Sequence, residues 1–291
     1  TSGAVAVGAY TVGGANTVTN TNAGNQEEWR NDRPYGYVRL RFTVSYPAGM
    51  AVWEGDVDTN WSTAGNWSTG AVPTAATNVW IPATTSGAVT LGWGGSTANN
   101  SPTLTAAAAC NNLTIVTGRT LSLGANTLTI NGNLTNDGTF TGGTGTVVFG
   151  GASAATLSGT GTTNFNVVQF NKTAAVTVAS TLTFSASGTI TNLGSGTFAP
   201  SSGTITASNV DVVNMGTAIW NASGGTLVFT GGTARAITNT STGTAPQLTF
   251  FHFTLNRSAP LSSTDSWSVA GDYLNTAGDL ICSAGTVTLA G

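Results

Sequence analysis

Between residues 128 and 149 the chain reads LTINGNLTNDGTFTGGTGTVVF, and Leu128, Ile130, Leu134, Phe140, Val147 and Phe149 share one side of a two-residue alternation. Thr and Asn hold the other side. A period of two is that of a β-strand, whose successive side chains point to opposite faces, and no apolar stripe at helical spacing competes with it. From Leu113 onward, strand candidates begin every seven to nine residues: Leu113–Val116, Leu121–Leu123, Leu128–Ile130, Leu134, Phe140 and Val147–Phe149. Gly and Asn between them supply the positive-φ conformations that tight corners require. Three such strands per turn give coils of roughly 20–29 residues, a solenoid's repeat length. The predicted fold is all-β, a parallel β-solenoid or β-helix of short Thr/Gly/Asn-rich strands. Tandem β-sandwich domains are the alternative; they call for longer strands, hairpins and a repeat near ~100 residues.

Longer-range recurrence is also visible. Gly145–Phe149 (GTVVF) returns as Gly225–Phe229 (GTLVF). Phe165–Lys172 returns as Phe250–Arg257, and Leu182-Thr183-Phe184 as Trp267-Ser268-Val269, each displaced by 85 residues (171 to 256, 182 to 267). One offset shared by two motifs predicts a long repeat.

Ahead of the repeats the pattern changes. Residues 1–22 carry no charge and intersperse Val5, Val7, Tyr10 and Val12 with Ala and Gly. They read either as an arm packed on its own subunit or as a strand donated to a neighbouring one. Residues 25–58 hold 10 of the chain's 19 charged residues. Within them, residues 37–46 alternate Val38, Leu40, Phe42 and Val44 with Arg39, Arg41, Thr43 and Ser45, the pattern of a half-buried antiparallel strand. The expected organisation is an N-terminal arm and β segment over 1–50, a Trp-rich capping module over 51–105, and solenoid repeats over 106–291.

The middle stretch, WEGDVDTNWSTAGNWSTGAVPTAATNVWIPA over 53–83, places Trp53, Trp61, Trp67 and Trp80 among Asn, Ser and Gly. An uncovered solenoid end exposes unpaired backbone and apolar interior, and a bulky aromatic cluster suits a cap. The same rings could instead form a sugar-stacking platform. The Trp-x-Gly, Asn-Trp-Ser, Val-Pro and Val-x-Ile-Pro elements, followed by Leu-Thr-Ile and Gly-Asn-Leu-Thr-Asn-x-Gly-Thr-Phe, resemble a module of large secreted bacterial surface proteins. The resemblance covers residues 53–291. It implies a β-solenoid on a cell surface or in a secreted fibre, without known catalysis.

Composition narrows the function further. Only 7% of residues are charged, against roughly 25% in ordinary soluble domains. With a net charge of −3 and no basic stripe, nucleic-acid binding is not expected. Gly, Thr or Asn interrupts every apolar run short of the roughly 20 residues a membrane span needs. No signal peptide begins the sequence, so it reads as a mature secreted form or an excised fragment.

The chemistry available is sparse. His252 is the only histidine, which excludes a zinc site of several His ligands; it reads as a structural residue, and a Ser-His-Asp triad would have to recruit it with no Gly-x-Ser-x-Gly elbow present. Cys110 and Cys282 are too far apart along a solenoid to bridge within one subunit, and read as two small buried hydrophobes or as a link between subunits. Asp265, Asp272 and Asp279, seven residues apart, fall at successive corners of one coil rather than as the close pair glycoside hydrolysis needs. Glu54, Asp56 and Asp58 have the oxygen chemistry of a calcium site at a generic spacing. The Asn-x-Ser/Thr triplets at Asn60, Asn66, Asn112 and Asn133 are glycosylation acceptors by pattern alone. No catalytic residue, cofactor or metal centre is predicted.

The expected function is therefore that of a non-enzymatic extracellular structural protein, a fibre subunit joined head to tail by β-strand contacts. Its expected partner is a further copy of itself. Three features motivate this: the uncharged arm, repeats that run to Gly291 without a visible cap, and few charges outside 25–58 to block edge pairing. The alternative is a monomeric cell-surface adhesin or glycan-binding module using the Trp residues.

Overall fold

A computed structural model describes residues 49–82, 100–179, 184–242 and 247–290. The chain divides into two compact units, Thr1–Ser45 and Tyr46–Gly291, and every described residue belongs to the second. Val5, Val7, Tyr10 and Val12, and the alternating run over 37–46, lie outside the described residues.

The second unit is a three-walled parallel β-solenoid. One coil shows the plan: Leu134–Asn136 on the first wall, Thr139–Thr141 on the second, Thr146–Phe149 on the third. The next coil lays Ala155–Ser158, Thr162–Phe165 and Val167–Phe170 on the same walls. Leu134 pairs with Leu157, Phe140 with Thr163, and Val147 with Val168, all in parallel. Nine strands stack on the third wall among the described residues. From Leu113 onward a coil takes between 19 residues (Thr249 to Ser268) and 28 (Trp220 to Leu248). The ladder pairings are all between strands one coil apart, which excludes the hairpin-built sandwich.

Parallel sheets usually have both faces covered and read as continuous apolar runs. Here one face of each wall meets water, so strict alternation survives. Leu128, Ile130, Leu134, Phe140, Val147 and Phe149 all point inward and are fully buried.

The interior changes along the axis. Its early coils are filled by Leu113, Ile115, Leu121, Leu128 and Leu134, its later ones by a column of rings. Phe149, Phe170, Phe198, Trp220, Phe250 and Trp267 follow one another at centroid distances of 5.4, 3.9, 4.7, 5.3 and 5.5 Å. Such contacts contribute roughly 0.5–1.5 kcal/mol per pair beyond the burial itself.

The 85-residue repeat is not structural. Phe165 faces inward from the second wall, whereas Phe250, its counterpart at that offset, belongs to the first wall. Gly145–Phe149 lies on the third wall and Gly225–Phe229 on the second. The strands draw on one small vocabulary of residues and the corners vary in length, so a recurring motif drifts from wall to wall.

The Trp-rich stretch and the repeats share one ladder. Met50–Val52 pairs with Asn78–Ile81, which pairs with Leu113–Ile115, and Asn60 bridges Thr103, which bridges Ser122. Residues 50–61 thus begin the first described coil, in which Trp53, Trp61 and Trp67 are buried beside Ala51 and Val52.

Candidate functional site

Trp53, Trp61 and Trp67 are packed edge to face, with centroids 5.0 Å (Trp53–Trp67) and 4.7 Å (Trp61–Trp67) apart. All three are buried. Trp53 Nε1 donates to the Asn100 carbonyl at 2.5 Å and Trp67 Nε1 to the Trp61 carbonyl at 2.8 Å. Rings held this way fill the first coil and offer no face to a sugar. Trp80 differs: it alternates outward between buried Val79 and Ile81 and is half-buried, level with Thr114 of the next coil.

The loop around these rings is tied by Asn66, which is fully buried. Its Oδ1 accepts from the backbone N–H of Val57 (2.9 Å) and Asp58 (3.1 Å). Its Nδ2 donates to Asp58 Oδ1 (2.7 Å) and to the Asn60 carbonyl (2.9 Å). Asp58 also accepts from Asn60 N–H at 2.7 Å and from Thr63 Oγ1 at 3.0 Å. Those bonds, the Asn60 amide foremost, hold the Asp58 carboxyl below the usual carboxylate range. Glu54 is shifted the other way, first by burial and then by nearby Asp56. The Asp58 oxygens are thus engaged within the loop. Among the described residues, no group of three or more His, Cys, Asp or Glu converges to hold a metal ion.

Asp265, Asp272 and Asp279 occupy three successive corners of one coil. Asp265 Oδ2 accepts from the Asn239 amide at 2.9 Å. Asp272 lies 3.1 Å from His252 Nδ1, which also accepts from the Asp272 backbone N–H at 3.1 Å. Asp279 is exposed. His252 is half-exposed on the outer face of the second wall, level with Thr226 one coil earlier.

Only Cys110 is a buried hydrophobe; burial pushes its thiol up to about 12. Cys282 departs from the expectation of two buried thiols. It pairs with inward-facing Ser263, but it lies on the final described coil and is exposed. Both cysteines are free.

Two sets of polar groups in the interior were not foreseen. Asn192, Asn214 and Asn239 stack on the inner face of the third wall, where the preceding coil has Phe170. The recurring TITN, DVVN and RAITN endings were the available signal. The second set is buried cations bound to backbone carbonyls of earlier coils. Lys172 Nζ donates to Asn131 O (2.6 Å) and Gly150 O (2.5 Å), and Arg119 Nε to Pro82 O (2.7 Å). Arg257 donates to Thr230 O (2.8 Å) and to Thr233 O. Burial lowers the pKa of all three. Lys172 and Arg257 both end the recurring Phe…Asn-Lys/Arg motif, so that motif carries a real local device even though its wall changes.

Large apolar side chains exposed among the described residues are Val57 (62%), Leu274 (53%), Ile281 (47%) and Leu289 (56%). Val57 is at a corner of the first described coil, and the other three belong to the last, formed by Tyr273–Ala277, Leu280–Cys282 and Val287–Leu289. Tyr273, Asn275, Leu280, Val287 and Leu289 line an open hollow on that last coil. Among the described residues no helix is long and apolar enough to cross a membrane.

Comparison with protein-family models, curated proteins and solved structures finds no match. The fold and its side chains therefore carry the functional reading.

Proposed function

We propose that this chain is a non-enzymatic extracellular structural protein, a fibre subunit that assembles head to tail through β-strand contacts. The observation that carries the reading is the ladder itself: on each of three walls parallel strands stack one coil upon the next, a backbone pattern that a strand of another chain can continue at an edge. The uncharged residues 1–22 supply a segment suited to add to such an edge. A head-to-tail contact that does not close gives an open filament. The bacterial cell-surface setting comes from the resemblance of the Trp-rich stretch.

Electron microscopy of the purified 291-residue chain tests this. Uniform fibres are expected, and deletion of residues 1–22 is expected to abolish them while the circular-dichroism spectrum stays β-rich. Fibres unchanged by the deletion would remove the arm from the contact, and isolated particles under all conditions would remove the fibre reading.

The adhesin alternative keeps one supporting feature, the half-buried Trp80 on the outer first wall. Loss of glycan binding on Trp80→Ala in a folded, monomeric chain would favour it.

A further inference from the structure

The fold sorts the chain's Asn-x-Ser/Thr triplets into two groups. In the first, the amide is spent on the coil itself. Asn66 has both ends of its amide bonded within its loop. Asn112 Nδ2 donates to Asn78 Oδ1 at 2.9 Å, and its Oδ1 accepts from the Asn133 N–H at 2.7 Å. Asn60 Oδ1 accepts from Thr105 Oγ1 at 2.6 Å, Asn133 Oδ1 from the Thr156 N–H at 2.8 Å, and Asn239 Oδ1 from Asn214 Nδ2 at 3.0 Å.

The second group is Asn171-Lys172-Thr173, Asn221-Ala222-Ser223 and Asn256-Arg257-Ser258. In each, the Asn and the hydroxyl residue are exposed and the residue between them is buried. Alternation produces this, because positions i and i+2 of an extended chain share a face. Among the described residues, no other protein group hydrogen-bonds these three amides or these three hydroxyls. The middle residue ties each triplet down. Lys172 and Arg257 do so through the carbonyls of earlier coils, and Ala222 through its N–H, which donates to the Thr249 carbonyl at 3.0 Å.

The three triplets stand at three different corners. Asn171 follows Val167–Phe170, where the third wall gives way to the first. Asn221 closes Ile219–Asn221, where the first gives way to the second. Asn256 stands near the end of His252–Arg257, where the second gives way to the third.

We infer that Asn171, Asn221 and Asn256 each take an N-linked sugar, one at each corner of the solenoid. The triplet is the acceptor pattern for that linkage. An amide nitrogen becomes a nucleophile only when the transferring enzyme can grip and turn it, which a carboxamide bonded into the coil does not permit. In the transfer, Nδ2 attacks the anomeric carbon of an activated sugar phosphate. The C–N bond forms as the anomeric C–O bond breaks, the phosphate leaves with the bonding pair, and the amide proton goes to a base of the transferring enzyme. A sugar at a corner lies clear of the axial backbone ladder, and it adds hydration to a chain of which only 7% is charged. The assignment holds whether or not copies join into fibres.

The test is peptide mapping by mass spectrometry of two samples: the folded 291-residue chain after incubation with a soluble N-glycosyltransferase and UDP-glucose, and the chain taken from the cells that make it. Hexose is expected at Asn171, Asn221 and Asn256 of the incubated chain, with Asn66 and Asn112 bare. Sugar is expected at the same three positions of the chain from its own cells. The triple variant Asn171→Gln, Asn221→Gln and Asn256→Gln should lose all of it with an unchanged circular-dichroism spectrum, because the altered side chains are exposed and unbonded. Modification of Asn66 or Asn112 as readily as the three corners would overturn the sorting by burial and bonding. Failure of the folded chain to take hexose at the corners, or bare corner peptides from its own cells, would overturn the sites.

Discussion

Asn192 Nδ2 donates to Asn214 Oδ1 at 3.0 Å across one coil, and Asn214 Nδ2 repeats the bond to Asn239 Oδ1 at the same distance. The ladder also closes a corner. Asn192 donates to the Ile219 carbonyl, and Asn214 to the carbonyls of Ala218 and Gln247, where the chain passes from the third wall to the first. An amide is suited to this place because one side chain both accepts along the axis and donates to carbonyls at the corner. Asn214→Leu keeps the volume and removes the bonds. The Ala218 and Gln247 carbonyls keep Ser241 Oγ and the Trp220 N–H as donors, and Asn239 Oδ1 loses its own; leaving a buried polar group unsatisfied costs roughly 1–3 kcal/mol, so a loss in that range is expected. Equilibrium urea unfolding measures it; an unchanged midpoint would show that the ladder adds nothing.

Lys172 reaches back over two coils, to Gly150 in the preceding one and Asn131 in the one before that. Lys172→Met relieves the burial of an ammonium but strands both carbonyls. The second effect should win, because among the described residues no other donor reaches either carbonyl, and the expected loss is roughly 2 kcal/mol. The same urea titration decides it. A more stable Met variant would mean that desolvation of the ammonium outweighs its bonds.

A Cβ at Gly159 would lie 2.0 Å from the Asn136 carbonyl oxygen, and its φ is +121°. At Gly70, φ is +66° but nothing lies within 4 Å of a Cβ. Gly70→Ala should therefore lose only the left-handed backbone penalty, roughly 1–2 kcal/mol. Gly159→Ala forces one coil away from the next and belongs among the severe single substitutions, roughly 4 kcal/mol or more. Thermal melts of the two variants should rank them in that order.

Native maleimide labelling should modify one thiol, Cys282, and denaturant should reveal the second. Cys110 is fully buried with its thiol pushed up to about 12, so the reactive thiolate is scarce as well as inaccessible. Two labels on the native chain would place Cys110 outside the core.

Much of this fold is legible in the sequence, because each strand must alternate to bury one face and the coils must be similar in length to stack. The inward set from Leu128 to Phe149 could be read residue by residue. The 85-residue offset misled because sequence similarity between strands reports their shared need for alternation, not the wall they occupy. That Asn recurring at like positions stacks as a ladder along the axis is expected of a solenoid; its place on the inner face is not, because alternation assigns Asn to the wet face by default and only its repeated place at strand ends marks it as internal. Lys172 and Arg257 were missed because a cation without a nearby carboxylate in sequence gives no sign that backbone carbonyls will bind it. The Trp cluster could be seen as structural, but that it fills a coil of the same ladder depends on the pairing of Val79 with Leu113.

The loop around Asn66 should give the protein an acid-sensitive limb with two opposing parts. Asp58 is held below its ordinary value near 3.8 by the Asn60 amide, Asn66 and Thr63. A carboxyl depressed in the folded state contributes stability that is present above the unfolded value and lost as pH falls through the folded one. Glu54 is raised above its ordinary value near 4.5 by burial, then by Asp56. Its charged form opposes folding above the folded value, so stability rises as pH falls through that value and levels off below about 4.5. The urea midpoint should therefore rise slightly on acidification toward the Glu range and drop below the ordinary Asp value. Glu54→Gln should raise the neutral-pH midpoint and remove the rise. Asp58→Asn should lower the neutral-pH midpoint and flatten the drop. An Asp58→Asn chain that keeps the full acid drop would assign that limb to another carboxylate and separate the Asn66 knot from the acid response.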